Sequence, residues 1–244
     1  RIEGLRKRFG DKEVLSGLDL NVPANSIFGF IGRNGAGKTT TMKAVLGLLK
    51  PDEGKISVLG EAVSYGQTAT NRHVGYLPDV PAFYSFLTAR EYLALCGESI
   101  GMERSDIRTR SGELLELVGL AGFEERNSFE LSDGEYQRAT IAAAIVQDSK
   151  IIILDEPTAF LDIANRFIIT QLLRKIAHEW GKLIIFSTHD LQLAIDMCDK
   201  VWLITGEGFY DNTPQQLMDC GAFEKLFDDP RMVFNKITRS FEIQ

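Results

Sequence analysis

A chain of 244 residues is long enough to bury the core of one large domain, or of one domain with a smaller subdomain. Its 27 basic and 34 acidic residues give a formal net charge of -7, which argues against a dedicated nucleic-acid binder, because such proteins usually carry a basic face. Three scattered cysteines are too few for a disulfide framework or a zinc site, so we expect free thiols in a reducing cytosol.

The longest apolar runs, at residues 151–154 and 201–204, are much shorter than the roughly 20 residues that a membrane-spanning helix requires. We therefore predict no membrane span. The chain begins at Arg1 inside a predicted strand, without methionine or an apolar leader. This start predicts that no signal peptide is present and that a few native residues precede Arg1.

The first half of the chain predicts an antiparallel edge followed by a helical insertion. Residues 2–9 and 14–22 alternate like paired strands around a turn at residues 10–12. Further on, Thr88 and Glu91 form the signature of a capping box at the start of a helix over residues 88–96. A second amphipathic helix is predicted over residues 106–118. The inserted helical subdomain is predicted to cover about residues 80–138.

The second half predicts alternating helices and strands after a long helix that ends near Ile145 and is capped by Ser132 or Asp133. Four apolar residues, 151–154, are typical of a central parallel strand. The βα units that follow are predicted at residues 166–180, 183–186, 191–198 and 201–204. The predicted fold class is therefore α/β, with a doubly wound sheet, an antiparallel β edge and the inserted helices. Residues 208–244 form a tail whose function the sequence does not reveal.

A glycine-rich motif, G-x-x-x-x-G-K-T, stands between the apolar run at residues 27–31 and a predicted helix. Gly32 and Gly37 let the backbone curl so that its N–H groups point toward phosphate. Lys38 adds a positive charge for the β- and γ-phosphates, and Thr39 offers a hydroxyl to Mg²⁺. A chance glycine turn is the alternative, which the strand and helix on either side disfavour. With this motif, the predicted doubly wound sheet is that of a P-loop NTPase. The other residues predicted to bind the nucleotide here are Arg33, Asn34, Gly35, Ala36 and Thr40.

Two adjacent carboxylates follow the predicted central strand. Asp155 is placed to hold Mg²⁺ through water, and Glu156 is placed to polarise the attacking water. Either residue alone could be a solvated strand end, but together with Lys38 they predict hydrolysis.

Phe9, on the edge strand before the loop, could stack on an adenine ring, although an aromatic residue in a strand more often belongs to the core.

Five motifs in this order resemble the ATP-binding cassette (ABC) ATPases, and the resemblance covers nearly the whole chain. The motifs are residues 32–40, 131–135, 155–156, 157–162 and 187–190. The resemblance implies that Phe9 stacks on adenine and that Asp162 belongs to the D-loop. It also implies that His189 is the switch histidine at the γ-phosphate, and that Ser132 and Gly134 reach the γ-phosphate bound to the opposite protomer.

The chain departs from the family pattern at three positions. The signature segment is generally Leu-Ser-Gly-Gly-Gln, whereas this chain has Asp133 and Glu135 in the third and fifth places. We expect the signature role to persist with altered affinity. Asp79 stands where the family has its Q-loop glutamine, and we expect its carboxylate to serve Mg²⁺ or a bound water despite its shorter reach.

The resemblance implies a transporter ATPase that works with transmembrane permease subunits at the cytoplasmic face of the membrane. Two chains, as a homodimer or heterodimer, would sandwich two Mg-ATP head to tail, and no nucleic acid would be involved. A soluble ATPase of the same class and a scaffold without a transport partner are the alternatives. The first half resembles drug or bacteriocin exporters and the second half iron-siderophore or haem importers. A natural intermediate branch and a chimera joined near Phe129 both fit this mixture.

Overall fold

The structure is a computed structural model that describes residues 1–81, 83–159, 161–227, 229 and 231–243. Phe160, which belongs to the motif predicted at residues 157–162, lies outside the described residues. The chain divides into two compact units. Arg1–Asn71 and Leu183–Gln244 form the first unit, and Arg72–Lys182 forms the second.

The strands are β1 (Ile2–Phe9), β2 (Lys12–Leu20), β3 (Ile27–Gly32), β4 (Glu53–Val58), β5 (Glu61–Ala62), β6 (Val74–Leu77), β7 (Ile151–Leu154), β8 (Leu183–Thr188), β9 (Lys200–Thr205), β10 (Gly208–Asn212), β11 (Met232–Asn235) and β12 (Ser240–Ile243). The α-helices are α1 (Lys38–Val45), α2 (Ala89–Ser99), α3 (Arg104–Leu117), α4 (Asp133–Ala144), α5 (Ile163–His178), α6 (Leu191–Met197) and α7 (Pro214–Asp219). Short 3-10 helices lie at Ala69–His73, Ser128–Glu130 and Phe223–Leu226. In the described part of the chain, no helix combines the length and the apolar character that a bilayer crossing needs.

The first unit begins with an antiparallel sheet in the order β2-β1-β4-β5. Leu5, Leu15, Leu18 and Ile56 supply its buried side chains. The predicted first strand matches β1, and the turn is shorter than predicted, because Lys12 already pairs with Phe9 as the first residue of β2.

The first unit also contains a sheet in which β3 lies between β8 and β9, with β10 beyond β9. All six residues of β3 are buried, as expected for a strand with parallel partners on both sides. Trp202 of β9 lies against Phe28 and Phe30, with ring centroids 4.9 and 5.5 Å apart. The parallel pairing brings the carboxyl ends of β3 and β8 to one edge, which is where open α/β sheets bind ligands.

The tail of the first unit ends in an antiparallel hairpin formed by β11 and β12. Phe223, Phe227, Phe234 and Phe241 form an aromatic cluster, with successive ring centroids 4.8 to 5.4 Å apart. The hairpin is therefore held by packing of aromatic rings, and α7 and the 3-10 helix Phe223–Leu226 precede it in the tail.

The second unit contains the parallel pair β6 and β7 together with α2, α3, α4 and α5. The capping box predicted at the start of α2 is present, because Thr88 accepts a hydrogen bond from the Glu91 N–H and the Glu91 carboxylate accepts one from the Thr88 N–H. Ser132 is the N-cap of α4, which decides between the two caps that the sequence allowed.

Helix α4 and strand β6 approach each other too closely for a side chain at Gly75. A Cβ added to this buried residue would collide with the carbonyl oxygen of Ala144, a backbone atom that cannot turn away. Gly112, on the exposed side of α3, offers the opposite case, because nothing lies within 4 Å of the same added atom. The contact at Gly75 therefore fixes the distance between α4 and the strands.

We predict that Gly75→Ala destabilises the protein by about 1–3 kcal/mol, the usual cost of overpacking a core, because β6 and α4 must move apart. Gly112→Ala is the matched control. It should be neutral or stabilising by up to about 1 kcal/mol, since alanine favours helix and meets no neighbour. Urea unfolding of both variants measures the difference. An equal stability of the two variants would contradict the packing described here.

Candidate active site

The glycine-rich loop joins the end of β3 to the start of α1. Gly35 and Gly37 have φ angles of 82° and 100°, in the left-handed region that side chains disfavour. At Gly37 an added Cβ would also lie 2.6 Å from Leu15 Cδ2 and 3.1 Å from the Val14 carbonyl oxygen. Only glycine therefore fits at Gly37, where β2 packs directly against the loop.

Lys38 lies inside this loop, and the residue is only 7% exposed. Its Nζ donates to the Gly32 carbonyl oxygen at 2.7 Å and to the Arg33 carbonyl oxygen at 3.5 Å. The Ala36 N–H donates to the same Arg33 oxygen at 3.0 Å and closes the turn. The ammonium is thus held at the centre of the loop, where a positive charge and nearby backbone N–H groups favour an anion.

The remaining predicted loop residues are more accessible than Lys38. Arg33, Asn34 and Gly35 are exposed, while Thr39 and Thr40 in the first turn of α1 are half-buried. The hydroxyl of Thr41, one residue further, donates to the Gly37 carbonyl oxygen at 2.9 Å and so belongs to the helix. Thr39, the predicted metal-binding residue of the first unit, thus lies in the first turn of α1, directly after Lys38.

His189 lies beside the loop at the edge of the same sheet. Ile31 pairs with Thr188 across β3 and β8, so the last residue of β3, Gly32, and the residue that follows β8, His189, come next along the two chains. His189 is exposed, and its turn is fixed because the Asp190 N–H donates to the Thr188 hydroxyl at 3.0 Å. The structure thus brings the histidine and the start of the phosphate loop together, as the resemblance implies.

Phe9, the last residue of β1, does not belong to the buried core. The residue is 50% exposed, and the ammonium of Lys7 lies 5.3 Å from the ring centroid. A cation close to an aromatic face is attracted by the negative charge density of the ring. The exposed ring is available for stacking on a planar base, which is the role that the resemblance assigns to it.

In the second unit, Asp155 directly follows β7 and is 2% exposed. Its N–H donates to the Leu77 carbonyl oxygen at 2.8 Å, which continues the pairing of β6 with β7. The next residue, Glu156, has a φ of 51°, an uncommon value for a residue with a side chain. Backbone strain of this kind persists where the surroundings hold it and is frequent at functional sites.

Asp79 and Asp155 lie at the carboxyl ends of the neighbouring strands β6 and β7. Burial, together with the smaller effects of the Asp155 and Asp79 charges, raises the pKa of Tyr76 to about 12, so both carboxylates act on one hydroxyl. Asp79 is exposed, and its carboxylate accepts the Val80 N–H at 3.0 Å. The structure therefore brings together the two acidic residues that were predicted to serve a metal ion.

The donor chemistry of these residues fits Mg²⁺, because carboxylate and hydroxyl oxygens are the ligands this ion prefers. Mg²⁺ usually keeps several waters and needs only one or two carboxylates beside substrate phosphates. Within the described ranges, no group of three or more histidine, cysteine or acidic side chains could hold a metal ion by itself. The residues are thus suited to an ion that arrives with a nucleotide.

The signature segment forms the start of α4 through a capping box. The N–H and the hydroxyl of Ser132 both donate to the same carboxylate oxygen of Glu135, each at 2.8 Å. These hydrogen bonds hold the pKa of Glu135 below its usual value. Ser132 and Asp133 are exposed, whereas Gly134 is buried. The carboxylate that replaces the family's glutamine therefore binds the signature serine.

Asn165 is a residue of this site that the sequence analysis missed. A Cβ added to Gly134 would collide with the Asn165 side-chain amide. The same amide donates from Nδ2 to Asp162 Oδ2 at 3.2 Å, and its Oδ1 accepts from Arg138 Nη1 at 3.2 Å. The Asn165 N–H also donates to Asp162 Oδ1 at 2.7 Å, so that Asp162 caps α5. Asn165 thus joins the signature segment to the D-loop aspartate.

We predict that Gly134→Ala displaces the Asn165 amide and separates α4 from the start of α5. The expected result is an ATPase rate at least about tenfold lower, because misplacing supporting groups by about 1 Å can cost as much as a hundredfold. Gly112→Ala serves as the control and should keep its activity. Steady-state ATPase rates, with thermal unfolding of each variant, measure the effect. A fully active Gly134→Ala variant would contradict the coupling through Asn165.

Comparison with known proteins agrees with this geometry. The family model described as ABC transporter matches residues 15–159. The protein YxlF of Bacillus subtilis, described as an uncharacterised ABC transporter ATP-binding protein, is 36% identical over 217 residues, covering 88% of this chain and 71% of the relative. The Nod factor export ATP-binding protein I of Burkholderia lata is 35% identical over 239 residues, covering 96% of this chain and 78% of the relative.

Solved structures show the same fold. The cbiO1 protein of Clostridium perfringens, part of the ABC transporter complex cbiONQ, superposes with a TM-score of 0.81 at 26% identity and covers 89% of both chains. MJ1267, an ATP-binding cassette of an ABC transporter solved in its ADP conformation, superposes with a TM-score of 0.83 at 21% identity, covering 94% of this chain and 98% of that chain. The predicted fold class, the ATPase activity and the role in transport are thereby confirmed. The chain belongs to the ABC transporter family, as an ATP-binding subunit that hydrolyses ATP to power transport through partner subunits.

Proposed function

We propose that this chain hydrolyses Mg-ATP in a head-to-tail pair of ATP-binding chains and drives export through permease subunits at the cytoplasmic face of a membrane. The observation that carries the proposal is the glycine-rich loop closed around the buried Lys38 ammonium. Relatives named for Nod factor export cover more than nine-tenths of this chain, which supports outward transport. The identity of the exported compound is a separate question.

The first step of the mechanism is the capture of the triphosphate. In our proposal the N–H groups of the loop over residues 33–40 and the Lys38 ammonium surround the β- and γ-phosphates, while Phe9 stacks on the adenine. Charge-assisted hydrogen bonds from fixed donors stabilise an anion more than neutral ones do. The loop is already wound in the described chain, so little reorganisation is needed when the phosphates bind.

The second step is attack by water on the γ-phosphate. Glu156 accepts a proton from this water as the general base, and His189 donates a hydrogen bond to the γ-phosphate. Thr39, Asp155 and Asp79 are the residues that would hold Mg²⁺, either directly or through water. When bound, this ion supplies positive charge that offsets the charge of the phosphates. Asp155 is suited to this role because it is almost fully buried at the end of β7.

The proposed mechanism also requires a second chain. Ser132 lies exposed at the N-terminus of α4, a position that favours phosphate binding through the helix dipole. We propose that Ser132 and Gly134 of one chain contact the γ-phosphate held by Lys38 of the other chain, with Asp162 close by. The Ser132 hydroxyl must leave Glu135 to make this contact. The charges of Asp133 and Glu135 therefore weaken the pair of chains relative to the usual family signature.

We predict that Glu156→Gln binds ATP but hydrolyses it more slowly by a factor of at least about 100, the lower end of what a positioned base contributes. The bound ATP should then persist and hold two chains together. Light scattering with Mg-ATP should give a dimer, and with ADP a monomer. A low-salt buffer favours detection, because it strengthens interactions between exposed charges. Glu116→Gln, which changes an exposed glutamate of α3, is the matched control.

The two parts of the proposal fail in different ways. A Glu156→Gln variant that hydrolyses ATP at the wild-type rate would exclude Glu156 as the base. A variant that binds ATP and stays monomeric at every concentration would exclude the head-to-tail pair, while leaving the phosphate loop in place. Glu116→Gln should match the wild type in both measurements.

A further inference from the structure

The strand β2 runs beside the phosphate loop and touches it at two points. Near its start, the Nζ of Lys12 lies 3.6 Å from the position of a Cβ added to Gly35. Two residues later, Val14 Cγ1 lies 3.2 Å from the corresponding position at Gly37. Side chains two residues apart in a strand point to the same face. Lys12 and Val14 therefore both face the loop, and the place of the lysine follows from the register of β2.

Lys12 has no counter-charge in the described part of the chain. The residue is exposed, and its side chain takes part in no hydrogen bond or ion pair there. Two neighbouring cations on β1 differ, because Arg6 binds Glu13 at 3.1 Å and Lys7 binds Asp52 at 3.0 Å. An ammonium held against an anion-binding loop and left without a carboxylate partner is available for a ligand.

Lys12 also links the residue proposed to hold the base with the loop proposed to hold the phosphates. Lys12 pairs with Phe9 across β1 and β2, and its ammonium reaches the loop at Gly35. A nucleotide with its base on Phe9 and its terminal phosphates at Lys38 has its inner phosphates between them. An ammonium group offers three donors for charge-assisted hydrogen bonds to phosphate.

We propose that Lys12 is a further nucleotide-binding residue, which contacts the α- and β-phosphates of ATP and ADP from the strand β2. This inference rests on the proposed function, since it assumes that the loop holds those phosphates. The loop's own lysine is already bonded to two carbonyl oxygens of the loop. Lys12 thus adds a second, more exposed cation to the same site.

The test is titration calorimetry with ADP, which requires neither hydrolysis nor a second chain. Lys12→Gln should bind ADP about 3- to 10-fold more weakly, between the effects usual for an exposed ion pair and for a buried charged hydrogen bond. Lys12→Arg should restore most of the affinity, because it keeps the charge. Lys55→Gln removes the same charge from an exposed position on β4 and should bind ADP like the wild type.

A second readout is the dependence of ADP affinity on salt. Because salt screens contacts between exposed charges, the affinity of Lys12→Gln should fall less steeply with added NaCl than that of the wild type or of Lys55→Gln. Unchanged affinity and an unchanged salt slope in Lys12→Gln would overturn the inference, as would a Lys12→Arg variant as weak as Lys12→Gln. Lys38→Ala separates the two proposals. If Lys38→Ala loses ADP binding while Lys12→Gln keeps it, only the role of Lys12 fails, whereas wild-type binding by Lys38→Ala refutes the phosphate site.

Discussion

The close packing of β2 against Gly37 is the constraint on which the phosphate loop depends. Leu15 and Val14 occupy the space where any side chain at this position would lie. The loop can therefore stay tight around the Lys38 ammonium, whose hydrogen bond to the Gly32 carbonyl oxygen joins the start of the loop to the start of α1. The antiparallel sheet thus supports the loop as well as carrying Phe9, so that the residues proposed to bind the base and the phosphates belong to one packed unit.

The second unit also contains close packing against glycine, at two positions. Gly75 lets α4 approach β6, and Gly134 lets the start of α4 approach Asn165 of α5. Helix α4, which begins with the signature segment, is thus held at both of its ends. Asp162 caps α5 and accepts two hydrogen bonds from Asn165, so its position is tied to that of Gly134. A substitution at Asp162 or at Gly134 should therefore displace the other residue, since both lie against the Asn165 side-chain amide.

The sequence predicted the fold correctly where an element depends only on residues close together in the chain. The capping residues Thr88 and Ser132 bind backbone N–H groups of their own first turn, so spacing alone identifies them. The start of α5 was predicted too late, at residue 166, because Ile163 is 86% exposed and gives no apolar periodicity. The cap at Asp162 decides this boundary. The chimera joined near Phe129 stays a prediction.

The parts of the site that could not be predicted depend on contacts between distant segments. Asn165 looks like an ordinary polar residue of a helix, and only the fold shows that its amide faces Gly134. Lys12 looked like part of a turn, whereas the register of β2 places its ammonium at Gly35. The φ of 51° at Glu156 has no local sequence signal either. Residue type and spacing indicated the chemistry, and tertiary packing selected the supporting residues.

The central claim is that the loop between β3 and α1 holds the phosphates of the nucleotide. Backbone amide NMR of the isotope-labelled chain during titration with ADP tests it most directly. The account predicts that the largest shifts at saturation occur at the N–H groups of Gly35, Gly37 and Lys38, because these residues form the loop that is proposed to bind the phosphates. If those resonances stay unchanged at saturating ADP while others move, the nucleotide binds elsewhere and the account is contradicted.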